Sequence, residues 1–276
     1  MKLHILKVLL VGVVLVSGTL KGQDLTTTPL FSIPFERLDQ VALDNQNQII
    51  LADTEGNIYQ FNSKGQYVNH FSPERQARLD QIEASWTVNI FTFSRDLQKI
   101  QLLDRFLNPL STNVFDFSRF GLIKAATLGN NNVFWLFDET NFSLIQFDFR
   151  QNRSLQTQPL NLVLSQQQLD VMEIKEHQNL VFLKSVGEGI FIFDNQGNFI
   201  QQIPTKVEQK IVLHGDHLFW IADGSIVKTN FKTKATEFAP LPDPKYRNLA
   251  INQKHLFLYH PQGVDFYPIP DFSSSN

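Results

Sequence analysis

From Pro29 onward the chain is a succession of short apolar or alternating runs of Phe, Ile, Val and Leu, separated by small polar clusters. Almost no stretch repeats its apolar residues at helical spacing, so the pattern predicts strands throughout. Two segments expose a common template. Ile58-Tyr59-Gln60-Phe61-Asn62-Ser63-Lys64-Gly65-Gln66-Tyr67-Val68 and Ile190-Phe191-Ile192-Phe193-Asp194-Asn195-Gln196-Gly197-Asn198-Phe199-Ile200 both read as apolar strand, Asn or Asp, two polar residues, Gly, one polar residue, apolar strand. The Asn or Asp side chain closes the turn onto its own backbone and the Gly supplies a positive φ, so each segment is a hairpin.

A further strand precedes each hairpin. Its central apolar residue recurs as Ile50, Phe91, Phe134, Phe182, Phe219 and Phe257, at spacings between 37 and 48 residues. Before each lies a polar turn and another apolar strand, such as Val41 to Leu43, Ile123 to Ala126, Val171 to Ile174 or Ile211 to Leu213. Four strands in a period near forty residues are the mark of a β-propeller blade, and about 250 residues hold roughly six of them. The expected fold is therefore all-β, a single six-bladed propeller of four-stranded antiparallel blades. The sixth copy runs into Pro268 and Pro270 before an outer strand can form. The segment Pro29 to Ile33 has no blade of its own and is expected to supply that strand, closing the ring and removing its exposed sheet edges.

The period and closure resemble the six-bladed propellers of the NHL and lactonase-like group, over roughly Pro29 to Pro268. Neither a Tyr-Trp-Thr-Asp blade motif nor a Trp-Asp dipeptide of the WD40 class occurs.

The first two dozen residues read differently. Lys2 and Lys7 precede an apolar run from Val8 to Val16, followed by the small residues Ser17, Gly18 and Thr19. This is the layout of a secretory signal peptide and is short for a bilayer span of roughly 20 residues. The expected division is residues 1–22 as signal, 23–272 as one propeller domain and 273–276 as a C-terminal tail, with export to the periplasm or cell surface. Zero cysteines exclude disulfides, thiolate metal sites and thiol nucleophiles, and fit a bacterial envelope. A net charge of -3, from 24 basic and 27 acidic residues, gives no footprint for nucleic acid. The 25 Phe among 276 residues suit packing between blades.

Candidate chemistry gathers where the inner strands begin. Leu38-Asp39-Gln40-Val41, Leu79-Asp80-Gln81-Ile82 and Leu169-Asp170-Val171 repeat in blades one, two and four, while blades three, five and six offer Arg119, Gln209 and Arg247. Three carboxylates around a channel mouth could hold calcium; alternatively they cap turns and pair with Arg119 or Arg247. The lactonase-like resemblance implies a channel calcium and a carboxylate base, which could recruit Glu36, Asp39, Asp80 or Asp170, although no motif of those enzymes is matched. His214-Gly215-Asp216-His217 occupies a turn and falls short of the three protein ligands a zinc site needs. The segment Asp104-Arg105-Phe106-Leu107-Asn108-Pro109-Leu110 reads as a departure from the compact hairpin template, and Arg105 with Phe106 is a candidate partner-binding pair. Trp86, Trp135 and Trp220 could stack on sugar rings or pack in the core. The reading that follows is a monomeric, non-enzymatic binding or scaffold protein for an envelope protein or glycan, with a calcium-dependent hydrolase as the alternative.

Overall fold

The computed structural model describes residues 28–84, 89–130 and 133–274. Its strands form six four-stranded sheets. The chain opens with β1 (Phe31–Pro34) and then builds blade one from β2 (Leu38–Leu43), β3 (Ile49–Asp53), β4 (Ile58–Phe61) and β5 (Tyr67–Phe71). Blade two is β6 (Gln81–Glu83), β7 (Ile90–Ser94), β8 (Lys99–Leu103) and β9 (Pro109–Val114). Blade three is β10 (Ile123–Leu128), β11 (Val133–Asp138), β12 (Ser143–Asp148) and β13 (Arg153–Pro159). Blade four is β14 (Val171–His177), β15 (Leu180–Ser185), β16 (Gly189–Asp194) and β17 (Phe199–Ile203). Blade five is β18 (Val212–His214), β19 (His217–Ala222), β20 (Ser225–Asn230) and β21 (Thr236–Pro240), and the last copy adds β22 (Asn248–Ile251), β23 (His255–His260) and β24 (Gly263–Pro268).

The sixth blade is completed by the N-terminal strand: β1 pairs antiparallel with β24, Phe31 opposite Phe266 and Ile33 opposite Val264. Phe31 stacks on Phe266 at 3.7 Å between ring centroids. Gly65, in the hairpin of blade one, has φ +76°, and a Cβ there would meet the Phe31 ring at 2.9 Å. The glycine thus makes the turn and lets blade one sit against the closing strand.

Between neighbouring blades lies a buried apolar cluster, one for each of the six boundaries. The recurring residue of each second strand sits in these walls. Phe91 and Phe134 meet at 5.5 Å between blades two and three, and Phe182 meets Phe231 at 5.1 Å between blades four and five. Each such side chain contributes roughly 1.5–3 kcal/mol by leaving water. Trp135 and Trp220 are buried in the same walls, so the stacking role on sugar rings is not open to them; Trp86 lies outside the described residues, as does the apolar N-terminal segment. Among the described residues no helix is long and apolar enough to cross a membrane.

The segment from Asp104 to Asn108 corrects one expectation. It keeps the hairpin template. Asp104 Oδ1 accepts the N–H groups of Phe106 and Asn108, both at 2.8 Å, as Asp194 Oδ1 does for Gln196 and Asn198 at 2.8 and 2.9 Å. Leu107 takes the position of Gly65 and Gly197, at φ 64°. A left-handed residue with a side chain costs about 1–2 kcal/mol; here it is offset because Leu107 is buried in the wall between blades one and two.

The C-terminal segment is also bound. Ser273 and Phe238 exchange backbone hydrogen bonds at 2.8 and 3.1 Å, and Phe272 packs on Phe219 at 5.8 Å, so the segment lies along the outer strand of blade five.

Candidate functional site

The six inner strands, β2, β6, β10, β14, β18 and β22, surround the axis, and their register can be indexed by the recurring residue of the neighbouring strand. Opposite Ile50, Phe91, Trp135, Phe182, Phe219 and Phe257 stand Ala42, Glu83, Thr127, Lys175, Val212 and Ala250, with blade three indexed by Trp135 because Phe134 lies on the other face of its sheet, in the wall toward blade two. Two residues earlier along the inner strands stand Gln40, Gln81, Ala125, Glu173 and Asn248. Continuing the register of β18 back by two residues puts Lys210 at this level in blade five. Residues two apart on a strand share a face, so the axis is ringed by two tiers, the lower mostly polar and the upper half aliphatic and half polar.

The lower tier is tied together across the ring. Lys210 belongs to blade five, which lies opposite blade two, yet its ammonium donates to Gln40 Oε1 of blade one at 2.8 Å and to the Asp80 carbonyl before blade two. It is a strut across the channel. Burial pushes its pKa down to about 8, with Lys175 adding to the shift while Glu173, Asp39 and Asp80 oppose it. Glu173 is almost fully buried; its Oε1 accepts the Ile211 N–H at 2.6 Å and its Oε2 lies 3.5 Å from the Lys175 ammonium. Lys175 in turn donates to the Ile211 carbonyl at 2.5 Å, and the buried Lys184 donates to the Gln209 carbonyl.

Two more carboxyls stand in the upper part. Glu83 accepts from Gln81 Nε2 at 2.6 Å and the Thr127 hydroxyl at 2.7 Å. Glu176 accepts from Trp135 Nε1 at 3.0 Å and the Asn130 N–H at 3.1 Å. Burial pushes both above the usual carboxylate range, against these hydrogen bonds. His177 and His214 are pushed down by burial, and His177 Nε2 lies 2.6 Å from the Gly215 carbonyl. Above the strut the channel is a cup of about 460 Å³, running from Gln40, Gln81 and Lys210 up to His177, His214, Gly215 and Gln253 at the turns between first and second strands. The Tyr259 side chain also lines it.

The sequence-derived candidates are not gathered into one site. Asp39 makes a bidentate pair with Arg78 at 2.8 and 2.9 Å. Asp80 accepts the Arg95 N–H at 2.7 Å, with the Arg95 guanidinium 3.6 Å away. Asp170 lies 3.5 Å from Lys124. The expected pairing with Arg119 or Arg247 is therefore corrected: each aspartate is matched by a nearer cation. Arg119 faces the outer turn of blade three, donating to the Asn152 carbonyl at 2.6 Å and lying over Phe120 and Phe147. Arg247 is exposed just before β22.

Asp170 is also out of register. Val171 pairs with Ser185 and Glu173 with Lys184, so Glu173 is the counterpart of Gln40 and Gln81, and Met172, at the bulge, is the counterpart of Asp39. β2 carries the same bulge at Asp39, so the two strands align on their bulges, and the Leu-Asp pair of blade four falls in the connection before β14 whereas that of blade one lies inside β2. Counting back nine positions from Phe182 and Phe219, rather than matching Leu-Asp pairs, would have pointed to Glu173 and Lys210. Among the described residues no three His, Asp or Glu side chains come together as a group able to hold a metal ion.

Arg105 and Phe106 are exposed together at the perimeter, the guanidinium 4.8 Å from the ring centroid. Gln60 Nε2 donates to the Arg105 carbonyl at 3.0 Å and Asn69 Nδ2 to the Phe106 carbonyl at 2.7 Å, both from blade one. Tyr67 and Val68 are also exposed, on β5 of blade one.

Fold and ring closure define a six-bladed β-propeller. No family model matches the chain, and no curated protein matches it. Among solved structures it is similar to PorZ, a bacterial surface component of the type-IX secretion system of Porphyromonas gingivalis, at 10% identity and TM-score 0.57 over 87% of this chain and 32% of that one. It is also similar to the WD40 domain of Pan2 from Neurospora crassa, at 11% identity and TM-score 0.60 over 84% of this chain and 78% of that one. The chain thus spans about a third of the PorZ chain. These likenesses establish the propeller fold alone.

Proposed function

We propose that this chain is an exported, non-catalytic propeller that binds a protein partner in the bacterial envelope through the perimeter of blades one and two. The observation that carries this reading is the Arg105–Phe106 pair. Its ring is 57% exposed, yet the turn beneath it is held by two Asp104 hydrogen bonds and by the two donors from blade one. An aromatic and an arginine presented without loss of loop entropy are the composition and the preorganisation of a binding hot spot. The envelope part of the reading rests on the charged and apolar layout of residues 1–22, and it accords with the surface location described for PorZ.

The test is site-specific photocrosslinking in intact cells from position 106, with position 254, exposed on a turn of blade six, as the control. A discrete adduct with an envelope protein from position 106, absent from position 254 and lost when Arg105→Ala is added, supports the proposal. Equal adducts from both positions, or a protein retained in the cytoplasmic fraction, overturn it.

A further inference from the structure

The cup above the Lys210 strut has the makings of a ligand site separate from the perimeter. Its carboxyls are unevenly matched to its lysines. Asp39 and Asp80 are matched by Arg78 and Arg95; Glu83 is served by the neutral donors Gln81, Thr127 and Leu128 and lies in the field of Lys175; Glu176, at the upper rim, accepts from Trp135 and Asn130. Glu173 is left facing three lysines: Lys175 at 3.5 Å, and Lys184 and Lys210, whose positive charge its own favours. The hydrogen-bond acceptors of Lys210 are both neutral oxygens. A buried cation without a full counter-charge is costly, and an anion beside it removes the cost.

The walls add shape to the charge. Above the lysines the cup is lined by Ala42, Ile82, Val212, Leu249 and Ala250, none of which can hydrogen-bond through its side chain. Tyr259 is buried, lines the cup, and among the described residues its hydroxyl donates to no protein acceptor. A cavity of this volume, mostly apolar with a few convergent polar groups, falls within the roughly 300–1,000 Å³ of small-molecule sites. The polar end offers ammonium groups and a phenol, without the guanidinium fork or successive backbone N–H groups that suit phosphate.

We propose that the central cup binds a small aliphatic carboxylate, with its head between Lys175, Lys210 and the Tyr259 hydroxyl and its hydrocarbon body against Ala42, Val212 and Ala250. The molecule enters past His177, His214 and Gly215, because Lys210 bars the other end. Sodium octanoate is the probe, titrated calorimetrically into the whole chain at neutral pH. Saturable one-to-one binding is expected, at least tenfold tighter than 1-octanol or octylamine. Lys175→Met lowers the affinity at least tenfold and Tyr259→Phe several-fold, each with an unchanged circular dichroism spectrum, while Leu155→Ala, exposed on the outer strand of blade three, leaves it unaltered. No saturable octanoate binding, or equal binding of octanol, overturns the proposal. So does full affinity in a folded Lys175→Met protein; should that variant not fold, full affinity in Tyr259→Phe overturns it equally.

Discussion

The walls between blades and the channel they enclose are made by the same strands, yet they obey opposite rules. In the walls, Phe91, Trp135 and Phe182 repeat at one position, and Phe91 and Phe182 meet the rings of Phe134 and Phe231 from the next blade. In the channel, the residues opposite them are Glu83, Thr127 and Lys175, with no two alike. Repetition serves packing because each boundary poses the same problem of filling volume at crystal-like density. The axis poses a single problem shared by six strands, and one lysine from blade five answers it for blades one and two together. Stability should therefore be lost mostly through the walls, while charge and ligand response should reside in the channel.

The sharpest break of that contrast is Phe182→Ala. The ring is fully buried at the boundary of blades four and five, and its removal is expected to cost about 3–5 kcal/mol in guanidinium denaturation. A loss below about 1 kcal/mol, a surface-like value, would mean that the walls do not carry the fold. Ile33→Ala probes the closing strand: the side chain is 4% exposed opposite Val264, and a loss of about 2–5 kcal/mol is expected if the ring is joined there. A near-neutral result would show that β1 is dispensable.

The channel answers to pH instead. Lys210 has a folded pKa of about 8 against 10.5 for free lysine, in the field of Glu173, Lys175, Asp39 and Asp80. Between those values the unfolded chain holds a proton that the folded chain has released, so stability rises with pH across this window; below it the cost of the buried charge is fully present. Relative to Lys210→Met, the wild type should gain up to about 3 kcal/mol, at 1.36 kcal/mol per pKa unit, as pH is raised from 8 to 10.5. Parallel stability curves for the two proteins would remove Lys210 from the channel's electrostatics. The smallest expected effect is at the turns: Gly197→Ala places a Cβ at φ +76° and 3.3 Å from Gln158 Cβ, for a loss of about 1–2 kcal/mol. An unchanged melting midpoint would show that the positive φ is not required.

How much of this is visible in one dimension follows from the same contrast. The blade count, the strand order and the closing segment around Phe31 are readable because each is an instance of a repeated pattern, and Phe31 duly faces Phe266. The turn at Asp104 escapes a search for Gly, because the Asp side chain is what closes it and burial of Leu107 supports the unfavourable φ. Asp39, Asp80 and Asp170 are recognisable as polar residues at or just before strand starts, but their partners stand at no fixed spacing, Arg78 and Arg95 in connections and Lys124 in the inner strand β10.

What the amino-acid order determined alone was local and periodic: strands from alternation, turns from Asn, Asp and Gly, and six copies from one apolar beat. What only the folded ring decided was which unlike residues meet on the axis. Lys210 and Gln40 are 170 positions apart, and a charge in a low-dielectric interior selects its neighbours through space, where sequence distance has no meaning.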